Sequence, residues 1–528
     1  MENSQIDVRN KFLNLSLKSQ TYFTILLVAI FLILSFIGLA NHEMWRDELQ
    51  AWLIARDSSS LIDVYNNLKY EGHPGLWHSL LYIITRFTHN PTAMQLLHLL
   101  IATLVIYIFV QYSPFTRIQK VLFTFGYFPF FEYNLISRNY NLGILFLFLF
   151  CYLFPRRYHS YLWLAILLAL MLNTNVYIMI IALSLALTLL TEYIFDQNLR
   201  TSYAHNQKNL IFSLTIFSLG LILSLSQLLR TTTTVTSQSQ IGNLGNQVAL
   251  TQFDLLINSL KKLAGIITII FQSYIPIPPI FNFHFWNNNI FPSEISRILS
   301  IILLCLAICI FIRKPFVLFF YLSGTLGILL FAYTKIRGVL RHHGHLFILF
   351  IACLWLCNYY SDSNWFHGRF QRFVNFWYKQ KNKLITSILL LHLFAGIFAF
   401  SMDMAYPFSA SRDAANFIIS NQLNNNVIIG SKDYIMSPLA AHLERKIYYP
   451  EVNRFSSFVD WGRRKDVKSQ RVIEEVNNFV IQTNNQILLI LDSPLKTESP
   501  NLRISQLESF SKNLVGDEKY YLYLVQKK

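Results

Sequence analysis

Charged residues are scarce in this chain of 528 residues: they make up 14%, whereas hydrophobic residues make up 53%. A soluble globular domain usually carries about 25% charged residues. Apolar runs of roughly 18 residues or more recur along the sequence, and each is long enough to cross a membrane. The composition therefore excludes one large soluble core and predicts a polytopic membrane protein. The first run, residues 21–40, is too long for a typical signal peptide, so we expect a retained helix.

Cysteine is scarce as well, and repeats are missing. All five cysteines fall in apolar runs, where we interpret them as small packing residues; they are Cys151, Cys305, Cys309, Cys353 and Cys357. A metal site would need further ligands, which the sequence does not offer near them. No internal repeat is visible, whereas many secondary transporters are built from inverted repeats.

Acidic residues are fewer than basic ones, 28 against 44, which gives a net charge of +16. Residues 403–528 hold 16 Lys and Arg against 14 Asp and Glu, so the excess lies in the membrane part, 28 against 14. Basic residues in short loops between spans are the mark of membrane orientation. This placement indicates no nucleic-acid partner and puts the N-terminus, residues 1–20, in the cytoplasm.

The charge placement also sets the number of spans. A helix over 75–88 is too short to cross, and leaving it in the interface keeps the basic loops cytoplasmic. We therefore predict an all-α membrane domain over 21–402 with eleven spans. These lie near 21–40, 93–111, 118–135, 140–154, 159–172, 175–194, 209–229, 296–313, 316–334, 346–360 and 384–402.

Three regions are predicted outside this series of spans. The first external loop, 41–92, carries interfacial helices near 61–68 and 75–88, with Asp57 or Ser58 capping the former. A long external loop covers 230–295 and ends in an aromatic, proline-broken run, either an interfacial belt or a wall against a lipid tail. Residues 403–528 predict a small external α/β domain.

The elements of that domain can be read from the sequence. Strands are predicted at Val427–Gly430, Lys446–Tyr449, Gln486–Asp492 and Tyr520–Val525. Helices are predicted near 411–421, 433–443 and 467–480.

The first external loop holds the most informative pair, Asp47 and Glu48, a few residues beyond the first span. A carboxylate here could accept a proton from an acceptor group or hold a metal. Alternatively, the two acids stabilise the start of a helix near Arg46. Because adjacent residues cannot share one helix face, we expect Asp47 to face a substrate and Glu48 to face the protein.

Cations are predicted on the same side of the membrane. Arg138, in the sequence SRNY, suits phosphate through its planar fork of donors, unless it pairs locally with Glu132. A basic turn follows the ninth span, and phosphate binding, metal binding and snorkelling at the interface are its possible roles. The turn contains Lys335, Arg337, Arg341, His342, His343 and His345.

The order of these motifs resembles a family of enzymes. A first helix, an external WRDE, an EGHP turn, an external SRNY and a late RHHGH resemble glycosyltransferases of the GT-C superfamily over residues 20–360. Protein O-mannosyltransferases, aminoarabinose transferases and rhizobial lipopolysaccharide glycosyltransferase-like proteins belong there. The resemblance implies a GT-C-type fold, a polyprenyl-phosphate-linked sugar donor and inversion at the anomeric carbon.

The resemblance also implies site residues. Asp47 takes the position of the catalytic aspartate, with Glu48 beside it, and Arg138 and Arg341 take positions suited to the donor phosphate. His342, Lys335 and Arg337 are placed with them, and His73, Arg46 and Tyr140 are expected as substrate contacts. Gly75 stands where many relatives have a second proline after His-Pro, so the turn at His73 should be looser. No external Asp-x-Asp lies near Arg138, so no metal or other cofactor is indicated.

The sequence therefore predicts an inner-membrane glycosyltransferase with an external C-terminal domain. Its partners are a polyprenyl-linked sugar, membrane lipid and an acceptor that is a lipid, a polysaccharide or a protein. The alternative is a polytopic transporter or lipid flippase without transferase activity. Transporters tend to place ionisable residues at mid-membrane, whereas here they cluster at one interface.

Overall fold

The chain folds into a bundle of apolar helices followed by a small α/β region. The computed structural model describes residues 2–204, 206–229, 252–363, 368–483, 485–497 and 499–528; of these, only the backbone is described at 2–17, 252–256 and 368–370. The first helices are α1 (Glu2–Asn41), α2 (Arg46–Asp57), α3 (Leu61–Asn67), α4 (Leu76–Thr85), α5 (Thr92–Tyr112), α6 (Arg117–Thr124), α7 (Tyr140–Leu153), α8 (Leu162–Leu172) and α9 (Val176–Phe195). They are followed by α10 (Gln197–Ala204), α11 (Gln207–Leu228), α12 (Gln252–Tyr274), α13 (Ser293–Phe311), α14 (Pro315–Thr334), α15 (Leu340–Leu356) and α16 (Gly368–Ala405).

Eight helical segments among the described residues are long and apolar enough to cross a membrane. They are Lys18–Asn41, Thr92–Tyr112, Val176–Phe195, Gln207–Leu228, Ser293–Phe311, Pro315–Thr334, Leu340–Tyr359 and Gln371–Ala405. Each overlaps one of the predicted spans, which confirms a largely helical chain with the character of a membrane protein. The predicted number of eleven stays a prediction.

The other three predicted spans are shorter or broken. Residues 118–135 form α6 and then a π-helical turn, Tyr127–Glu132, because Gly126 and Pro129 interrupt a continuous α-helix. Helices α7 and α8 have 14 and 11 residues, about 21 and 17 Å at 1.5 Å per residue. Most residues of α7 are buried, so neighbouring helices surround it.

The long loop predicted over 230–295 is wrong in part, because Gln252–Tyr274 forms the 23-residue helix α12. Residues 230–251 lie outside the described residues. Lys262 lies 4.7 Å from the ring of Tyr333 near the end of α14, whereas the Tyr274 hydroxyl lies 2.9 Å from that of Tyr321, farther inside the bundle. The helix therefore enters the bundle from one end and stops inside it.

The chain then returns to the same end of the bundle. There, the indole N–H of Trp286 donates to Glu132 over 3.0 Å. We call this the site end: α1 ends there at Asn41 and α15 begins there at Leu340.

The first loop forms two short helices, α3 and α4, near the predicted positions, but the N-cap of α3 differs from the prediction. Helix α3 begins after Ser60, whose side chain accepts from the N–H of Asp63, so the predicted caps at Asp57 and Ser58 are wrong. Helix α4 begins after Gly75, just beyond Pro74. The N–H of Leu76 donates to the carbonyl of Asn173, which fixes α4 against the end of α8.

The C-terminal region contains a six-stranded sheet flanked by helices. Its elements are α17 (Ser411–Ser420), β1 (Val427–Ser431), α18 (Asp433–His442), β2 (Ile447–Tyr449), β3 (Arg454–Ser456), α19 (Ser469–Thr483), β4 (Ile487–Leu491), β5 (Leu502–Phe510) and β6 (Tyr520–Lys527). The strand order is β3-β2-β1-β4-β6-β5, with β2, β1 and β4 parallel and the other pairs antiparallel. Apolar residues fill both faces of the sheet, and the four predicted strands are all present.

Candidate functional site

Asp47, Arg138 and Arg341 converge at the site end from three distant parts of the sequence. The Asp47 carboxylate oxygen Oδ2 lies 3.2 Å from Arg138 Nη1 and 3.3 Å from Arg341 Nη2. Arg138 Nη1 also donates to the backbone carbonyl of Asp47 over 2.7 Å. Both ion pairs use the same oxygen, so Oδ1 stays outside them. Two guanidiniums thus share one carboxylate that remains 29% exposed.

This arrangement fixes the charge of Asp47. Burial alone would raise the pKa of its carboxyl group, but the positive charges of Arg138, Arg341 and Arg46 outweigh burial and hold the pKa below its ordinary value. The carboxylate is therefore ionised at neutral pH.

Three helices begin at this cluster. Asp47 is the second residue of α2, Arg138 lies just before the start of α7, and Arg341 is the second residue of α15. The N-terminus of a helix carries partial positive charge and unpaired N–H groups. Three such ends at one place favour an anion, and Asp47 is the protein's own anion there.

Aromatic rings enclose Arg341. Its guanidinium carbon lies 5.0 Å from the ring of Trp45 and 5.1 Å from that of Trp286. The two tryptophans pack edge to face, with ring centroids 4.8 Å apart. Glu132, the alternative partner of Arg138, instead accepts from Tyr127 and Trp286, each over 3.0 Å. Trp286 thus makes the predicted aromatic run part of the site wall.

Glu48 is buried and held by the protein on both carboxylate oxygens. Oε1 accepts from the N–H of Ser137 over 2.6 Å, and Oε2 accepts from the N–H of Trp45 over 3.1 Å. His42 lies between Glu48 Oε2, at 3.2 Å, and Asp403, at 2.9 Å. These contacts place Glu48 in a positioning role, tying the loop before Arg138 to the start of α2.

The imidazole of His42 is charged in this buried triad. Burial alone would lower the pKa of His42, but the carboxylates of Asp403 and Glu48 outweigh it and raise the pKa to about 10. An imidazolium between two carboxylates joins the ends of α1 and α16 to α2. This triad could not be predicted from the sequence, because Asp403 is 361 residues from His42.

Several polar atoms around the cluster have no hydrogen-bond partner among the described residues. They are Arg341 Nε, His73 Nδ1, Tyr140 Oη and His345 Nε2. Buried polar groups are nearly always paired in native proteins, so such a concentration needs an explanation. Unused donors and acceptors beside a carboxylate and two guanidiniums are typical of a ligand-binding site.

His73 and Tyr140, both predicted substrate contacts, belong to this cluster. The ring centroid of Tyr140 lies 5.9 Å from the guanidinium carbon of Arg138. Burial, followed by the charge of Arg138, lowers the pKa of His73 to about 3, so its imidazole is neutral. A neutral imidazole can offer one donor and one acceptor to a substrate.

The remaining predicted site residues lie apart from Asp47 or contact other partners. Arg46 turns toward the C-terminal region, where Nη2 lies 2.8 Å from Asp517. His342 Nδ1 accepts from the N–H of Val339 over 3.0 Å, within the first turn of α15.

The predicted basic turn is in part the start of that helix, since Arg341 to His345 are helical. Arg337 reaches Gly265 and Thr268 of α12 over 3.4 Å, and Lys335 is exposed at the end of α14. Among the described residues, the structure does not bring Lys335 or Arg337 into an ion pair with Asp47.

Glu71 is a candidate that the sequence analysis did not single out, although it begins the EGHP turn. Gln50 Nε2 donates to its carboxylate over 2.7 Å. Burial raises the pKa of Glu71 to about 7, and its charge interacts with those of Arg138 and Asp47. A carboxyl group that titrates near neutral pH beside a charged cluster is a recognised signal of function. The signal in the sequence was an acid directly before the Gly-His-Pro that holds His73.

A cavity of about 190 Å³ adjoins the cluster through His73. Its lining combines apolar and polar side chains from the first loop and the end of α11: Tyr65, Leu68, Lys69, His73, Leu223, Ser226 and Gln227. Gln227 also accepts from the N–H of Gly75 over 2.6 Å, which fixes the turn after His73. Among the described residues, α11 is the least buried of the eight long apolar helices, with 17% of its apolar stretch buried.

The described residues contain no group of three or more His, Cys, Asp or Glu side chains arranged to hold a metal ion. Comparisons with protein families, with curated proteins and with solved structures find no match to this chain. The site must therefore be interpreted from its own geometry.

Proposed function

We propose that this protein is a membrane glycosyltransferase that takes a sugar from a polyprenyl-phosphate-linked donor and transfers it to an acceptor. The observation that carries the proposal is the meeting of Asp47 with Arg138 and Arg341. A carboxylate can accept a proton, and guanidiniums bind phosphate through paired, charge-assisted hydrogen bonds. Sugar transfer from a phosphate needs both kinds of group at one place.

The proposed reaction inverts the anomeric centre in one displacement. The acceptor oxygen forms a bond to the anomeric carbon while its proton passes to the Asp47 carboxylate. The bond between the anomeric carbon and the phosphate oxygen breaks, and its electron pair leaves with the polyprenyl phosphate. Arg138 and Arg341 stabilise the charge that this oxygen gains, which is usually the largest catalytic contribution.

The ion pairs of Asp47 suggest that the donor binds before the acceptor reacts. In the structure, Asp47 occupies the guanidiniums that a donor phosphate would use. A bound phosphate would draw Arg138 and Arg341 toward itself and weaken their effect on the pKa of Asp47. The pKa would then rise toward the range of an effective base. Donor binding would therefore activate Asp47 before the acceptor reacts.

The cavity beside His73 supports a lipid-linked donor. It lies between the first loop and α11, whose surface is largely open to lipid. A headgroup entering there from the bilayer would pass Lys69 and reach His73, which adjoins Asp47. We also propose an inner-membrane location with the site on the periplasmic side. The short loops at the opposite end of the bundle are rich in basic residues, which favour the cytoplasmic side.

The test is transfer by the full-length protein in lipid nanodiscs, supplied with polyprenyl-phosphate-linked sugars and extracted cell-envelope acceptors. We expect sugar release from the donor and its recovery on an acceptor. Arg341→Ala should weaken binding of polyprenyl phosphate by about 10- to 100-fold, the value of a charge-assisted hydrogen bond. The control is Arg337→Ala, which removes an exposed arginine near α12.

Two results would overturn this function. One is movement of the intact donor between leaflets with no chemical change, which the rival transporter or flippase predicts. The other is full donor affinity in the Arg341→Ala variant, which would remove the phosphate from this site.

A further inference from the structure

A turn of the C-terminal region, 460–464, lies directly on the first loop. The residue before it, Val459, exchanges two hydrogen bonds with the side chain of Gln50, of 2.9 and 3.0 Å. Gly462 packs so closely on the ring of Tyr70 that a Cβ atom would overlap it. Because Gln50 also donates to Glu71, one side chain fixes this turn and Glu71 together.

The turn presents an aromatic surface in a rigid frame. Trp461 is 41% exposed, and its ring is nearly parallel to that of Tyr434, with 24° between the planes and 6.3 Å between centroids. The guanidinium carbon of Arg464 lies 5.6 Å from Trp461 and 5.4 Å from Tyr434. Asp433 holds Arg464 in place over 3.1 Å. An exposed indole fixed in this way is suited to stacking against a ligand.

Polar groups lie beside this surface and lead to the catalytic cluster. Gln50 donates both to the Glu71 carboxylate and to the carbonyl of Val459, two residues before Trp461, so the carboxylate lies near the indole. The charge of Glu71 interacts with that of Asp47. The Arg46 guanidinium carbon lies 5.6 Å from the ring of Tyr434. Its buried Nη1 lies 3.9 Å from Glu518 and has no hydrogen-bond partner among the described residues. A carboxylate acceptor and a guanidinium donor thus lie next to an open aromatic face.

This combination fits a sugar. One face of a pyranose ring carries C–H groups that stack on an aromatic ring, while its edge carries hydroxyls that need donors and acceptors. A binding site of few, well-placed polar groups around aromatic side chains meets both needs.

We propose that Trp461, Glu71 and Arg46 form an acceptor subsite and that the acceptor is a carbohydrate. The sugar ring stacks on Trp461, and its reacting hydroxyl extends past Glu71 to Asp47. This inference rests on the proposed function for its direction of transfer. It gives the C-terminal region a role in recognising the acceptor.

The test measures binding of neutral tetrasaccharides of glucose, mannose and N-acetylglucosamine to the full-length protein in nanodiscs. We expect at least one of them to bind, and Trp461→Ala to weaken that binding at least 10-fold. Trp461→Phe should retain a measurable part, because an aromatic face remains, and Glu71→Gln should also weaken binding. The matched control is Phe455→Ala, which removes another exposed aromatic, 44% exposed, from strand β3. Thermal unfolding of each variant checks its fold.

Donor binding, measured with vesicles that contain polyprenyl phosphate, separates the two proposals. If the wild type does not bind the donor but binds sugar through Trp461, the donor site is overturned and the acceptor subsite is supported. Donor binding together with tetrasaccharide affinities equal in wild type and Trp461→Ala would overturn the subsite alone. Binding of a hydroxyl-rich peptide in place of all three sugars would also overturn it.

Discussion

The two ends of the helical bundle both hold arginine against a carboxylate, yet they differ in how the contacts are completed. At the end opposite the site, Arg157 Nε lies 2.9 and 3.0 Å from the two oxygens of Glu192, and the Tyr360 hydroxyl donates to the same carboxylate over 3.1 Å. Rings of Phe154, Tyr158 and Tyr360 cover the guanidinium. One cation meets one anion, and both are 1% exposed.

At the site end, two cations meet one partly exposed carboxylate, and Arg341 Nε is left without a hydrogen-bond partner among the described residues. The first arrangement is complete without a ligand and serves structure. The second leaves a guanidinium donor unused, which is the basis for the proposed binding role. The arginines at both ends are largely buried, so burial alone does not separate a structural ion pair from a proposed binding cluster. The number of hydrogen-bond donors left without a partner separates them better.

The largest expected effect comes from Asp47→Asn, which tests whether the site end is held ready for an anion. Transfer should fall by about 10²- to 10⁴-fold, the usual contribution of a general base. Affinity for polyprenyl phosphate should rise, because the variant removes the anion that competes for Arg138 and Arg341. The measurement is donor titration alongside turnover.

A fall in donor affinity would mean that Asp47 holds the guanidiniums in place for phosphate, and the proposed order of events would be wrong. Asp517→Asn is the matched control for donor affinity. It removes an exposed aspartate that pairs with Arg46 and leaves both arginines of the cluster untouched.

The next prediction compares the same substitution at the two ends. Arg157→Met should lower the stability of the bundle by about 3–5 kcal/mol, because Glu192 would be left buried without its cation. Arg341→Met should change stability by less than about 1 kcal/mol, because the partly exposed Asp47 keeps Arg138. Thermal unfolding in one detergent measures both.

Donor binding should show the reverse order. The Arg341→Met variant should bind the donor weakly, whereas the folded molecules of the Arg157→Met variant should bind it with near-normal affinity. Equal losses of stability at the two ends would erase the distinction between a structural pair and a binding cluster. A double variant, Arg157→Met with Glu192→Leu, should recover much of the lost stability, since it leaves no unpaired charge.

Local structure was predicted well from the sequence where apolar runs are continuous. Strands β1 and β4 lie within a residue or two of their predicted bounds, because runs such as Ile487–Leu491 are wholly apolar. The strand β5, Leu502–Phe510, was missed because it lies at the sheet edge and most of its side chains are partly exposed. Its apolar residues alternate only at Leu502 and Ile504, and a register shift between Gln506 and Glu508 breaks the pattern.

Helix α12 was missed for a related reason. Lys261 and Lys262 interrupt its apolar residues, so no long apolar run marks it. The buried positions Ile266, Ile269 and Ile270 recur at helical spacing, and they were the available signal.

The candidate site could be predicted by residue type but only partly by contact. Asp47, Arg138 and Arg341 stood out because charge at a membrane boundary is costly. Trp45 and Trp286, which pack around Arg341, did not stand out, because in the sequence they look like ordinary interfacial aromatic residues. Their pairing around Arg341 joins segments far apart in sequence, and only the folded chain brings them together.

The smallest expected effect concerns pH, which should act on the site end more than on the opposite end. Burial raises the pKa of Glu518 to about 7 even though Arg46 and Ser409 favour its charged form. The carboxyl group contacts the N–H of Arg46 over 2.9 Å and thereby joins the C-terminal region to α2. The folded protein therefore holds a proton that the unfolded chain releases. The contribution of Glu518 is full below about pH 4.5 and is lost as pH rises to about 7, at up to about 1.4 kcal/mol per pH unit.

At the opposite end, Asp362 pairs with Lys314 over 2.8 Å, and its pKa is lowered because the charges of Lys314 and Arg313 outweigh burial. That ion pair should not change between pH 5 and 8. Hydrogen exchange of residues 511–519 should therefore speed up from pH 5 to pH 8 more than the intrinsic rate requires, and Glu518→Gln should remove part of this excess. Glu71 titrates in the same range at the same interface, so some of the excess should remain in the variant. A wild-type excess that Glu518→Gln leaves unchanged would show that other carboxyl groups, and not Glu518, make the site end sensitive to pH.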